Sequence, residues 1–128
     1  MSVLLDTHAA LWLVQGDDRL TPAALSRLQE LDRDEIFVSD LMLFELALLI
    51  TKRRVVVDQR LVSFLNDFAA HFHVLPVDAV IAATAAELAL PQGDPFDRIF
   101  VATAVRHALP LVTRDREIRD SGLVPTIW

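Results

Sequence analysis

The sequence predicts an α/β fold, a mostly parallel sheet with helices on both faces. Two patterns lead there. Short, continuous apolar runs recur along the chain, the mark of strands buried on both sides. Between them lie longer stretches with helical spacing and capping residues, and strands joined through helices make right-handed crossovers and parallel pairs. The composition agrees, with 53% hydrophobic residues, 3 Gly, 6 Pro and no Cys. That excludes a disordered or collagenous chain, a disulfide framework, a thiolate zinc site and a cysteine nucleophile. A chain of 128 residues fits a single domain over residues 1–128 and is long enough to bury about two-thirds of its unfolded surface.

Each element has its own warrant. Val3-Leu4-Leu5 is the first strand, and Thr7 to Val14 the first helix, ended by Gly16-Asp17-Asp18. Thr21 is an N-cap followed by Pro22 at the first helical position, opening a helix from Ala23 to Leu31. Ile36-Phe37-Val38 is the second strand, and Ser39 or Asp40 caps a helix from Leu41 to about Lys52. Val55 to Val57 reads as either a turn or a small strand. Asp58 opens a helix to about Ala70, with Leu61, Phe64, Leu65 and Phe68 on one face. His73-Val74-Leu75 is the third strand, stopped by Pro76, and Asp78 caps a helix through Leu88. The breaker-rich loop Pro91-Gln92-Gly93-Asp94-Pro95 leads into a helix from about Phe96 to His107. Leu111-Val112-Thr113 is the fourth strand, Asp115 starts a short helix to Asp120, and Pro125-Thr126-Ile127 supplies a last edge strand.

The first six residues have no basic leader and meet an acid at Asp6, and the longest apolar run, Leu41 to Ile50, is half a membrane span and contains Glu45. A soluble, cytoplasmic protein without a membrane segment is the expectation. The charge is −6, from 18 acidic against 12 basic residues, which by itself argues against binding nucleic acid through phosphates. The placement of the acids changes that picture.

Four carboxylates share one kind of address. Asp6 follows the first strand, Asp115 the fourth; Glu45 lies one turn into the helix after the second strand, and Asp97 at the start of the helix before the fourth. In an open α/β sheet the crevice beyond the carboxyl ends of the strands is the usual ligand site. Asp6, Asp97 and Asp115 also have a plain structural reading, as caps or dipole partners of their helices. Glu45 is harder to set aside. Leu41, Met42, Leu46, Leu48 and Leu49 surround it, so it must be paired, protonated or bound to a metal. Two carboxylates about 4 Å apart repel by roughly 4 kcal/mol at an effective dielectric near 20. A divalent cation relieves such repulsion, and oxygen ligands without Cys select Mg²⁺ or Mn²⁺ over zinc. Carboxylate-held metals with open positions are the usual apparatus for phosphodiester hydrolysis.

With these residues in view, the chain resembles the PIN domain. The matching segments are Val3-Leu4-Leu5-Asp6-Thr7-His8-Ala9, Glu45 in an apolar helix, Asp94-Pro95-Phe96-Asp97-Arg98 and Leu111-Val112-Thr113-Arg114-Asp115. More narrowly it resembles the VapC toxins of bacterial toxin–antitoxin pairs, over essentially the whole chain. The resemblance implies a three-layer α/β/α sandwich on a five-stranded parallel sheet and a Mg²⁺- or Mn²⁺-dependent endoribonuclease that inhibits translation and growth. It implies that Asp6, Glu45 and Asp97 are the main catalytic and metal-binding acids, with Asp115 the fourth. Thr7 and Thr113 would hold ligands or water, and Asp94 would serve the turn. It further implies a homodimer and a cognate VapB-like antitoxin whose tail enters the active-site groove. Gly93 stands where related chains often carry a basic residue.

Other residues bear on the same chemistry. Arg98 is placed to orient a carboxylate or steer RNA. Lys52-Arg53-Arg54 either complements its helix dipole or contacts phosphate. Arg114, Arg116 and Arg119 have the same two readings, and His8 is close enough to Asp6 to take part. The four His lack HxxxH or HExxH spacing, which predicts no zinc site. Trp12, Phe44, Phe64 and Phe68 lie in apolar stripes and read as core. The alternative function is a catalytically silent binding module of the same fold, acting through a partner protein or RNA. A phosphotransfer domain with a nucleophilic aspartate is disfavoured, because His8 stands where a second Asp is needed.

Overall fold

A computed structural model describes residues 1–91 and 93–128. Gln92, in the loop expected before the long helix, lies outside the described residues. β1 (Val3–Leu5) is the middle strand. On one side it pairs with β2 (Ile36–Ser39), Val3 opposite Ile36. On the other it pairs with β4 (Leu111–Val112), Leu4 opposite Leu111. β3 (His73–Leu75) adds beyond β2 and β5 (Thr126–Ile127) beyond β4, in the order β3-β2-β1-β4-β5 with every pair parallel. Successive strand side chains point to opposite faces, yet Val3, Leu4 and Leu5 are all fully buried. Both faces of the sheet are therefore covered, as the sandwich expectation requires.

Among the described residues seven α-helices connect and cover the strands. α1 (Thr7–Gln15) ends where Gly16 takes the left-handed conformation at φ 65°, which glycine adopts without steric cost. α2 (Pro22–Gln29) starts as its sequence dictates, the Thr21 hydroxyl accepting the Ala24 N–H at 3.2 Å. α3 (Leu41–Thr51) follows β2, with Met42 and Leu46 fully buried. α4 (Leu61–Ala69) lies against α3, and α5 (Ala79–Glu87) is capped by Asp78 through the Ile81 N–H at 2.8 Å. α6 (Pro95–His107) packs on α5 and touches β1, β2 and β4. The short α7 (Arg116–Ser121) precedes β5.

Several expectations need correcting. α4 begins at Leu61, three residues after Asp58, and no strand forms at Val55–Val57. The reason lies in how α3 ends. Arg53 adopts φ 57°, a conformation glycine usually supplies at this position, and both the Arg54 and Val55 N–H groups turn back to the Leu49 carbonyl, at 2.9 and 3.3 Å. Those donors serve the helix end and not a strand ladder. At the start of α3 it is Ser39 whose hydroxyl accepts the Leu41 N–H, while Asp40 accepts the Val77 N–H and ties the end of β2 to the segment after β3. A 3₁₀ turn at Arg33–Glu35 was not anticipated; Glu35 steadies it by accepting the Asp32 N–H at 3.0 Å. Trp12 and Phe68 are core, 1% exposed each, and Phe64 packs against the core, but Phe44 is 56% exposed. Phe44 lies off the stripe of Met42, Glu45 and Leu46 that faces inward, and its ring meets Phe96 at 6.1 Å instead.

The middle of the sheet sets the stability of this arrangement. Leu4→Ala removes a fully buried side chain from β1 and is expected to cost about 2–5 kcal/mol, read from urea denaturation as a lower midpoint at unchanged slope. A change below about 0.5 kcal/mol, the range of surface substitutions, would contradict this account of the core.

Candidate active site

Strand order reverses beside β1: β2 and β3 extend to one side, β4 and β5 to the other. At such a switch point the loops beyond adjacent strands diverge and leave a crevice. Asp6 is the first residue past β1, and Thr113 and Asp115 follow β4. Glu45 reaches the crevice from α3 and Asp97 from the first turn of α6. All four predicted acids line one cavity of about 240 Å³, together with Thr7, His8, Asp94 and Arg114.

Three acids hold their places by capping helices. Asp6 accepts the Ala9 N–H at 2.9 Å, Asp94 the Phe96 N–H at 2.9 Å, and Asp115 the Ile118 N–H at 3.0 Å, each through Oδ1. Capping and site membership, alternatives on sequence grounds, thus coexist in the same side chains. A cap anchors one oxygen to a helix N-terminus, whose dipole favours the negative charge. Asp94 does serve the turn, as expected, but it also faces the cavity.

The hydroxyls complete the frame. Glu45 is buried, and Oε1 accepts a hydrogen bond from the Thr7 hydroxyl. Among the described residues none of the cavity acids makes an ion pair, so the structural pairing considered for Glu45 is not what holds it. The fully buried Thr113 accepts the Asp115 N–H at 3.1 Å, and the Asp6 N–H donates to the Val112 carbonyl at 3.1 Å, coupling the ends of β1 and β4.

Burial and crowding act on the charges. Desolvation, and then the carboxylates of Asp94, Asp115, Asp6 and Glu45, push Asp97 up to about 7. Burial likewise raises Glu45, opposed by the Thr7 hydroxyl and reinforced by Asp94 and Asp6. Burial also raises Asp6, opposed by Thr113, the Ala9 N–H and His8, and reinforced by Asp115. Five carboxylates against the single guanidinium of Arg114 leave the cavity strongly negative. The donors are all hard oxygens, which suits Mg²⁺ or Mn²⁺. Among the described residues no three of these groups already form a metal cage; they stand around an open space.

Arg98 does not point where the sequence reading put it. Its guanidinium donates to the carbonyls of Ala85, Ala86, Leu88 and Leu90, at 2.8, 3.3, 2.8 and 3.3 Å. It ties the end of α5 and the chain after it to α6, supporting the approach to Asp94 without orienting a carboxylate. The sequence reading gave Asp94, His8 and Arg114 no firm place in the cavity. The signal for Asp94 was its position three residues before Asp97 at one helix start, where both acids share an end.

The family model described as PIN domain matches residues 3–122. Ribonuclease VapC22 of Mycobacterium tuberculosis is 38% identical over 122 residues, covering 93% of this chain and 91% of that protein. VapBC2 from Rickettsia felis, solved bound to a DNA fragment from its promoter, shares the fold with a TM-score of 0.74 at 19% identity, over 100% of this chain and 99% of that one. A toxin–antitoxin complex from Klebsiella pneumoniae gives a TM-score of 0.67 at 19% identity, over 99% and 97%.

The raised Asp97 has a consequence for stability. An unfolded Asp loses its proton near 3.9, whereas folded Asp97 keeps it to about 7. Between those values the native state binds more protons, so the contribution of this one group to stability is fully present below about 4, falls as pH rises and is lost above about 7. In chelator, Asp97→Asn is expected to melt higher than wild type at pH 8, with the gap closing toward pH 4. A variant that melts lower at pH 8 would overturn the repulsion assigned to this cavity.

Proposed function

The chain belongs to the PIN-domain family, and on that premise we propose that it is an endoribonuclease hydrolysing RNA phosphodiester bonds with Mg²⁺ or Mn²⁺. The observation that carries this reading is the set of carboxylates around one small, uncompensated cavity at the switch point of the sheet. The 38% identity to a VapC ribonuclease over nearly the whole chain supports the choice of RNA.

In this reading Asp6, Glu45, Asp97 and Asp115 hold the metal. When bound there, the cation offsets charge at the phosphate and makes hydroxide accessible near neutral pH. The remaining work belongs to the chain. The Thr7 bond to Glu45 and the Ala9 and Ile118 N–H bonds to Asp6 and Asp115 fix carboxylate orientation before substrate arrives, so that little reorganisation accompanies the reaction. Asp97, raised by burial and the neighbouring carboxylates, is the acid that would give up a proton to hold the metal. Arg114, held 4.7 Å over the Trp12 ring, offers N–H donors to a phosphate oxygen.

The biological setting follows from the relatives. We read the chain, as a single domain, as the cytoplasmic toxin of a toxin–antitoxin pair, a homodimer restrained by a VapB-like antitoxin that occupies the active-site groove. No helix among the described residues is long and apolar enough to cross a membrane.

Cleavage of a structured RNA in Mg²⁺ tests the assignment. EDTA is expected to abolish it, and Asp6→Ala and Asp97→Asn are each expected to lower it by about a hundredfold or more, the upper end of what losing even a supporting group costs a metal site. Cleavage that persists unchanged in EDTA and in both variants would contradict the proposal.

A further inference from the structure

The wall of the acid cavity continues into a second hollow of about 430 Å³, and the two have His8, Glu45 and Asp94 in common. To the two shared acids it adds positive and apolar groups. Arg19 and Arg54 line it, with apolar surface from Leu49, Val55 and Val56 and the amide of Gln15.

The fold holds the Arg19 side chain and places the Arg54 backbone. The Arg19 Nε lies 3.1 Å from each carboxylate oxygen of Asp17, Nη2 lies 2.6 Å from Oδ2, and the guanidinium sits 5.0 Å over the Trp12 ring. That same ring carries Arg114 in the acid cavity, so one buried indole supports a cation in each compartment. Arg54 owes its place to the left-handed turn at Arg53, a conformation a non-glycine residue rarely takes. The turn sets Arg54 between this hollow and a smaller one beside Lys52 and Phe96. Val56, two residues on, is 81% exposed at the edge of the hollow.

We propose that this hollow is the subsite for one unpaired nucleotide next to the scissile phosphate. Arg54 and Arg19 hold its phosphate, Leu49, Val55 and Val56 receive its base, and Gln15 reads the base edge. The proposal deepens the nuclease reading and rests on it for the neighbouring phosphate. A hollow of this volume falls within the range of small-ligand pockets, about 300–1,000 Å³. RNA is read chiefly through unstacked bases that reach apolar or planar surfaces. A chain of net charge −6 needs fixed cations beside its acids before a phosphate backbone can approach. Arg19 is already paired with Asp17, so Arg54, which makes no ion pair among the described residues, is the cation an incoming anion meets here.

The test measures binding of a fluorescent single-stranded RNA dodecamer in the Asp97→Asn background with EDTA, where cleavage is expected to be suppressed, and cleavage of the same RNA separately in an otherwise wild-type chain in Mg²⁺. Arg54→Gln and Arg19→Gln are each expected to weaken binding about tenfold and to lower the salt slope by about one phosphate. Arg106→Gln, at the far end of α6, removes the same charge and is expected to change binding less than about twofold, since charges beyond a Debye length are screened. Gln15→Ala is expected to alter base preference among dodecamers differing at one position. Equal affinity in the parent, Arg54→Gln and Arg19→Gln overturns the subsite, as does an equal loss in Arg106→Gln. Retained RNA affinity with lost binding of a protein partner also overturns it, and gives the hollow to that partner. Cleavage with no arginine effect on binding removes the subsite and leaves the nuclease; an arginine effect without cleavage by wild type does the reverse.

Discussion

Carboxylates gathered round a small cavity repel one another, and they coexist only if the fold fixes them against that repulsion. Here the anchoring comes from the helix starts. Asp6, Asp94 and Asp115 each receive a backbone N–H from the helix they open, while Glu45 is held by the hydroxyl of Thr7. The sheet determines where those helices begin. Because β1 and β4 lie side by side at the point where strand order reverses, the loops that follow them deliver Asp6 and Asp115 to one crevice. Stability is therefore concentrated in the buried strands, and the strain of like charges is concentrated at their carboxyl ends.

The distribution of positive charge follows the same logic. Arg98, despite its place beside Asp97, bonds entirely to backbone carbonyls and secures the segment before Asp94. Arg114 and Arg19 rest on Trp12, one toward the acids and one toward the neighbouring hollow. No ion pair joins any of these arginines to a cavity acid among the described residues. A salt bridge there would relieve the repulsion permanently. Without one, the negative charge is left without a fixed counter-charge from the chain.

Much of this was legible in the sequence, and for identifiable reasons. Strands buried on both faces leave uninterrupted apolar runs, so Val3-Leu4-Leu5, Ile36-Phe37-Val38 and His73-Val74-Leu75 stood out. Glu45 was conspicuous because an acid on the apolar stripe of a helix has no solvent to face. What escaped was set by tertiary geometry. Nothing local indicates that Arg98 would find four carbonyls at the end of α5, since those carbonyls are brought to it by helix packing. The turn at Arg53 was hidden because glycine, its usual signal, is missing. Phe44 looked like core because α3 is apolar on nearly every side, which leaves its inward face undefined until the sheet is in place.

Burial and mutual repulsion raise Asp97 to about 7, so a cation held by these acids would have to displace its proton. Calorimetric titration of the metal-free protein with Mg²⁺, in buffers of differing ionisation enthalpy, counts that proton. With Asp97 near 7, binding at pH 7 should release roughly half a proton per chain, falling toward zero by pH 9. Mg²⁺ binding with no proton release at pH 7 would show that the carboxylates are already ionised and only weakly coupled, contradicting the account.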